Sequence, residues 1–189
     1  MSSRTFTLLC AVILAAYATV LVKGWGAPGG WLLDDRGKAQ QTDYLSLWAA
    51  GRLALQGKAA SAYDWGAHEK AMETGLGYEP PAMLPYSYPP PFFAVLAPLA
   101  LLPYLASMLL FSVLALVPFA IVNAWIVRRW EAAVWMCATV PAFWNLAVGQ
   151  TGALVAGLLG AALLLLPAWP TAAGVLIGLL SFKPHLGLI

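Results

Sequence analysis

The chain has 189 residues, of which 61% are hydrophobic and 10% charged, and its formal net charge is +2. Soluble domains carry about 25% charged residues, so this composition excludes an ordinary soluble globule, a disordered chain and a coiled coil. The small net charge leaves no basis for nucleic-acid binding. The expected fold is an all-α, polytopic bundle of transmembrane helices with one large external loop.

The first apolar run covers residues 5–22 and ends at Lys23. A membrane-spanning helix needs about 20 mostly apolar residues, so this run is the first predicted span. A signal peptide is the alternative, since residues 16–18 (Ala-Tyr-Ala) resemble a cleavage site. The run continues past that site as far as Val22, which favours an uncleaved anchor.

Residues 24–90 are polar and hold nearly all of the acidic side chains, which predicts a long external loop with short helices of its own. Thr42 is expected to cap a helix over 43–56, which the following glycine ends. This helix is expected to lie on the membrane surface or to pack on the outer ends of the spans. A second short helix is predicted over 65–74.

The remaining residues contain apolar segments that prolines divide. Residues 85–93 include four prolines and are predicted to be extended and rigid, because proline resists helix interiors. Residues 92–127 are predicted as a short or re-entrant helix followed, after Pro103, by a full span. Three further spans are predicted over 132–148, 152–166 and 171–182.

The orientation follows from Arg128 and Arg129, which end the span before a short loop. Basic residues favour the cytoplasmic side of short loops. The N-terminus is then cytoplasmic, the loop 24–90 is extracytoplasmic, and Lys183 lies at or just below the outer interface. Because the chain stops inside an apolar stretch, we expect it to be the N-terminal portion of a larger protein.

Polar side chains at membrane depth are costly, so they are candidates for function. Asp43 opens the predicted loop helix, where a carboxylate also favours the helix dipole. The functional interpretation is a general base above a cavity. Asp34 and Asp35 compete for this role, but they precede the mobile-looking residues Arg36–Lys38 and rank below Asp43.

Three further groups could bind a substrate. Tyr86 and Tyr88 form either an interfacial aromatic belt or a rigid wall on which a sugar packs. Gln150 stands in a tight turn between two spans, where its amide can donate and accept hydrogen bonds. Lys183 is either a cation that reaches the interface or, with His185, a ligand for a lipid phosphate.

Taken in order, these motifs resemble glycosyltransferase family 87, the polyprenyl-phosphate-mannose-dependent mannosyltransferases of bacterial envelopes. The resemblance runs from about Thr42 to His185. It rests on Thr42-Asp43-Tyr44, Trp48 to Gly57, Ala62-Tyr63-Asp64, Tyr86 to Phe93, Gly149-Gln150 and Gly178 to His185.

The resemblance implies a GT-C fold in the bacterial plasma membrane and an inverting transfer of a hexose, mannose, from a polyprenyl-phosphate-sugar donor. The acceptor is a cell-envelope glycan or glycolipid. The family's acidic residue early in the external loop corresponds to Asp43, the expected base. Lys183, His185 and Arg52 are the expected ligands of the donor phosphate. We expect no cofactor, and no metal site is legible.

Two other function classes remain open on the sequence. A transporter would also place prolines and polar residues at membrane depth, although it more often shows paired hydrophobic repeats. A non-catalytic scaffold of an envelope complex would not need a carboxylate and a cation that converge on one external pocket.

Overall fold

A computed structural model describes residues 2–183, and this part of the chain is helical, with nine α-helices and no strand. The α-helices are α1 (Ser3–Gly26), α2 (Tyr44–Leu55), α3 (Trp65–Leu76), α4 (Phe93–Leu99), α5 (Tyr104–Val127), α6 (Glu131–Cys137), α7 (Val140–Val148), α8 (Gly152–Leu165) and α9 (Pro170–Leu179). Short 3-10 turns cover Ala59–Tyr63, Pro90–Phe92 and Leu180–Phe182. His185 lies outside the described residues.

Two of the described helices, α1 and α5, are long and apolar enough to cross a membrane. Each has 24 residues. A 24-residue helix is about 36 Å long, which exceeds the hydrocarbon thickness of about 30 Å. α5 begins directly after Pro103 and ends at the residue before Arg128, the limits expected from the apolar pattern.

The chain divides into two compact units, which we describe separately. The loop unit contains Leu21–Phe111, and the described part of the terminal unit covers residues 2–20 together with 112–183.

The core of the loop unit forms around α2, which packs against α3 and α4. Nine of its twelve residues are buried. Gly51 permits this packing, because a Cβ at that position would come within 2.6 Å of the Leu96 carbonyl oxygen on α4. α2 is therefore an internal helix of this unit and does not lie on its surface.

The start of α2 differs from the prediction, because Asp43 and not Thr42 occupies the N-cap position. Thr42 does not cap the helix, since its hydroxyl bonds to Tyr104 instead. The second predicted loop helix is present as α3, which Asp64 caps by accepting a hydrogen bond from the Ala67 N–H (2.9 Å).

In the terminal unit, the predicted continuous helix over 132–148 is divided into α6 and α7. Pro141 explains the break, because its ring would clash with the carbonyl of Cys137, the last residue of α6. Thr139, the N-cap of α7, adopts an extended conformation with φ −78° and ψ 148°.

The two ends of the terminal unit can be told apart by their contacts with α1. Arg129 Nη2 donates to Ser3 Oγ (3.0 Å) at the start of α1. Further along, Trp135 Nε1 donates to Thr7 Oγ1 (3.0 Å), and the Tyr17 and Phe143 rings lie 4.5 Å apart. The path through α6 and α7 therefore runs in the same direction as α1, and the turn after α7 lies at the end opposite Arg129.

Candidate functional site

The segment Thr42-Asp43-Tyr44 is fixed on both sides of its carboxylate. The Thr42 N–H donates to the Tyr104 hydroxyl (2.9 Å), and Thr42 Oγ1 lies 2.8 Å from the same oxygen. The Tyr44 hydroxyl lies 2.8 Å from Ser107 Oγ, and both side chains are fully buried. Asp43 lies between these anchors and is exposed. The backbone that carries this carboxylate is therefore held rigidly.

Burial raises the pKa of Tyr44 to about 12, although its hydrogen bond to Ser107 opposes the shift. The phenol is thus protonated at neutral pH. It can serve as a structural hydrogen-bond partner of Ser107, but it is not itself poised to act as a base.

The competing carboxylates, Asp34 and Asp35, lie in a different part of the loop unit. Asp34 Oδ1 accepts the backbone N–H groups of Arg36 (2.9 Å) and Lys38 (2.7 Å) and so closes its own loop. Both carboxylates line an open cavity of about 480 Å³ together with Arg36, Lys38 and Tyr78. Asp34 has a structural role here, which leaves Asp35 as the more accessible competitor of Asp43.

The structure does not bring Arg52 together with Asp43. Asp43 is the N-cap of α2, and Arg52 follows nine residues later, which corresponds to about 13 Å of rise and about two and a half turns. Their side chains therefore leave the helix on opposite faces. The Arg52 guanidinium carbon lies 5.7 Å from the centre of the Trp48 ring, a cation–π distance.

Tyr86 and Tyr88 belong to one aromatic cluster in the loop unit. The Tyr86 ring stacks on Phe93 (5.1 Å between centroids) and lies 5.4 Å from Tyr63, whose hydroxyl donates to the Tyr88 carbonyl (2.7 Å). Tyr88 in turn stacks on Phe92 (5.1 Å). Neighbouring rings thus cover much of the aromatic surface on which a sugar was predicted to pack.

Within this cluster, Tyr86 is only 5% exposed, and its hydroxyl has no hydrogen-bond partner among the described residues. Burial raises the pKa of Tyr86. The adjacent cavity measures about 50 Å³, and a water molecule takes up about 30 Å³ of liquid. The space next to Tyr86 suits a water molecule and is too small for a hexose ring.

Gln150 and Lys183 come close together in the terminal unit. Gly149 ends α7 in the left-handed conformation with φ 72°, and the Gln150 N–H donates to the Asn145 carbonyl (3.0 Å). In the same turn, Thr151 is fully buried and accepts a hydrogen bond from Lys183 Nζ (3.0 Å). The two predicted substrate ligands therefore flank one buried hydroxyl.

The structure contains a buried polar pair that sequence reasoning missed. His68 on α3 is fully buried, and its Nε2 lies 3.1 Å from Ser46 Oγ on α2. Burial lowers the pKa of His68. The position of His68 one turn before Met72, on the inner face of α3, is the signal that could have shown its burial.

Among residues 2–183, no three His, Cys, Asp or Glu side chains group in a way that could hold a metal ion. The two groups suited to chemistry are the carboxylate of Asp43, on a fixed backbone in the loop unit, and the ammonium group of Lys183, beside a polar turn in the terminal unit.

Comparison with known proteins gives one match. The model of glycosyltransferase family 87 matches residues 86–189, more than half of the chain. The matched range includes Tyr86, Tyr88, Gln150 and Lys183, and it begins after Asp43 and Arg52. Neither a search of curated proteins nor a search of solved structures found a significant match. On the family match, the chain belongs to glycosyltransferase family 87.

Proposed function

We propose that this glycosyltransferase moves a hexose, mannose, from a polyprenyl-phosphate-sugar donor to a cell-envelope glycan or glycolipid. Two helices long enough to cross a bilayer, in a chain of this family, indicate a membrane protein. A lipid-linked donor suits such a protein, because its apolar chain can stay in the bilayer while its sugar phosphate reaches the interface.

Asp43 is the proposed general base. One observation carries this assignment: an exposed carboxylate stands between two residues that are anchored to α5, through Tyr104 and Ser107. A catalytic base must stay within hydrogen-bond reach of the proton that it removes, and a fixed backbone maintains that geometry.

The proposed reaction is one displacement. Asp43 takes the proton of the acceptor hydroxyl as the acceptor oxygen forms a bond to the anomeric carbon. The bond between that carbon and the phosphate oxygen breaks, and its electron pair stays on the departing polyprenyl phosphate. Attack from the face opposite the leaving group inverts the anomeric centre.

Lys183 is the proposed stabiliser of the phosphate charge, with His185 assisting. Lys183 makes no salt bridge with a described residue, and its bond to Thr151 is to a neutral hydroxyl. A positioned cation stabilises negative charge as it develops on a leaving phosphate. Arg52 is not part of this proposed set, because it leaves α2 on the face opposite Asp43.

Gln150 and Tyr88 are the proposed contacts to the sugar and the acceptor. Gln150 is half-buried in the same turn as the partner of Lys183, and Tyr88 is half-buried. Tyr86 then acts as support for Tyr88, since its ring lies 5.7 Å from that of Tyr88 and is itself buried.

The proposed reaction takes place at the outer face of the bacterial plasma membrane. Arg129 and the start of α1 lie at one end of the terminal unit, and basic residues in short loops favour the cytoplasm. The turn at Gln150 lies at the opposite end. A cytoplasmic N-terminus and an extracytoplasmic loop 24–90 agree with this arrangement.

The test is transfer from radiolabelled polyprenyl-phosphate mannose by membranes that contain the protein at matched expression. General-base catalysis contributes about 10²–10⁴-fold, so Asp43→Asn should reduce transfer by a similar factor. Asp35→Asn, which removes a carboxylate from the same loop unit, is the control and should retain activity. Full activity of Asp43→Asn would refute the assignment of the base, and the absence of transfer by the unaltered protein would refute the proposed donor.

A further inference from the structure

A second polar cavity lies on the loop unit, bounded by the end of α2, the turn Ala59–Tyr63 and one face of α3. Its volume is about 540 Å³, and ligand pockets measure about 300–1,000 Å³. Its lining residues are Arg52, Leu53, Gln56, Lys58, Ser61, Ala67, Lys70, Ala71 and Thr74. The cavity is thus large enough for a phosphate group together with the group that it esterifies.

The lining carries three positive charges and no carboxylate. Arg52 lies on α2, Lys70 lies on α3, and Lys58 directly precedes the turn Ala59–Tyr63. None of the three makes a salt bridge with a described residue. Glu69 and Glu73 are on α3 as well, but they do not line the cavity. Such a concentration of one sign of charge attracts a multiply charged anion.

Arg52 provides a second observation that points to an anion in this cavity. Its Nε atom is buried and has no hydrogen-bond partner among the described residues. Buried N–H groups of a guanidinium are rarely left without a partner. A guanidinium presents a planar fork of donors that matches a phosphate better than a single chloride.

We propose that this cavity binds a phosphate group through Arg52, Lys58 and Lys70. Gln56 and Ser61, which also line the cavity, carry neutral hydrogen-bond donors. The site differs from the transfer site proposed above, since Asp43 leaves α2 about two and a half turns away on the opposite face. The phosphate belongs either to a lipid headgroup or to a soluble phosphate compound, and the chemistry of recognition is the same for both.

The experiment measures binding to the purified full chain in a neutral detergent and does not depend on sugar transfer. One arm titrates inorganic phosphate against sodium chloride of equal ionic strength. The other arm titrates short-chain phosphatidic acid against short-chain phosphatidylcholine. Saturable binding of phosphate alone assigns a soluble source, and binding of phosphatidic acid alone assigns a lipid source. Binding of both supports the shared chemistry, whereas binding of neither overturns the proposal.

Variants decide whether the three cations form the site. Lys58 and Lys70 are exposed, so Lys58→Gln/Lys70→Gln should leave the fold intact. Hydrogen bonds to charged groups change affinity by about tenfold each, so the dissociation constant of this variant should rise by at least about that factor. Arg52→Lys keeps the charge, loses the fork and should give an intermediate loss. The matched control, Arg36→Gln/Lys38→Gln, removes two cations of the same loop unit outside this cavity. Parental affinity in Lys58→Gln/Lys70→Gln, or an equal loss in the control, would overturn the proposal.

Discussion

The Tyr44 hydroxyl lies 2.8 Å from Ser107 Oγ, and this bond joins two fully buried side chains that are 63 residues apart in sequence. Tyr44 follows the candidate base, and Ser107 lies in the first turn of α5. The bond, together with the one from Thr42 to Tyr104, therefore fixes the backbone of Asp43 to the start of α5.

A double-mutant cycle should expose this coupling. Tyr44→Phe leaves Ser107 Oγ buried without its partner, which typically costs about 1–3 kcal/mol. Tyr44→Phe/Ser107→Ala removes both polar groups and should recover most of that loss. Unfolding in detergent measures the stabilities, and additive losses in the double variant would show that the two hydroxyls do not interact.

The close approach of α2 to α4 makes Gly51 intolerant of a side chain. A Cβ there would lie 2.6 Å from the Leu96 carbonyl oxygen and 2.8 Å from the Ala100 Cβ. Since both obstacles belong to or adjoin the backbone, Gly51→Ala should destabilise the protein by about 1–3 kcal/mol. Gly66→Ala is the matched control on α3, where the nearest atom would be 3.8 Å away. Its thermal midpoint should stay within a degree or two of the parent, by the usual effect of an unobstructed surface substitution.

The sequence predicted the helices better than it predicted their contacts. α5 and α8 could be predicted because each is an apolar run that a proline, an arginine or a glycine bounds at either end. The break between α6 and α7 was also encoded, in Pro141, but the apolar run around it obscured the signal. The opposite faces of Asp43 and Arg52 follow from helical periodicity and were derivable before the structure. The hydrogen bond between Tyr44 and Ser107 could not be derived from the sequence, because no local pattern relates residues from separate elements.

Acid should weaken the packing of α3 on α2 through His68. Burial lowers the pKa of His68 below its ordinary value of 6.5, so the folded state favours the neutral imidazole. The unfolded state binds the proton first, and stability is therefore full above about pH 6.5 and declines as the pH falls towards the folded pKa. His68→Gln should flatten this decline in the thermal midpoint between about pH 7 and pH 5. A decline of equal steepness in His68→Gln would assign the acid sensitivity to other groups.

The proposed orientation can be tested with single cysteines in a background in which Cys10 and Cys137 are replaced by alanine. Ser3→Cys and Gln150→Cys lie at opposite ends of the terminal unit. In intact cells a membrane-impermeant maleimide should label Gln150→Cys, and Ser3→Cys only after permeabilisation. The reverse pattern would invert the orientation, and labelling of both in intact cells would contradict a membrane barrier between them.

The bond between Lys183 and Thr151 allows the effect of the lysine charge on transfer to be tested separately from the integrity of the turn. If Lys183 stabilises the departing phosphate, Lys183→Gln should lower kcat by about 10²-fold or more, the usual effect of losing one preorganised electrostatic contact. Thr151→Val keeps the lysine charge and removes the hydroxyl that accepts the 3.0 Å bond, so its effect on kcat should be much smaller. Asn145→Ala is the structural comparison, because Asn145 Oδ1 accepts the Ala153 N–H (2.8 Å) and holds the same turn. Equal losses in all three variants would mean that the integrity of the turn matters and that the lysine charge does not. A loss confined to Lys183→Gln would support a direct role of the ammonium group in transfer.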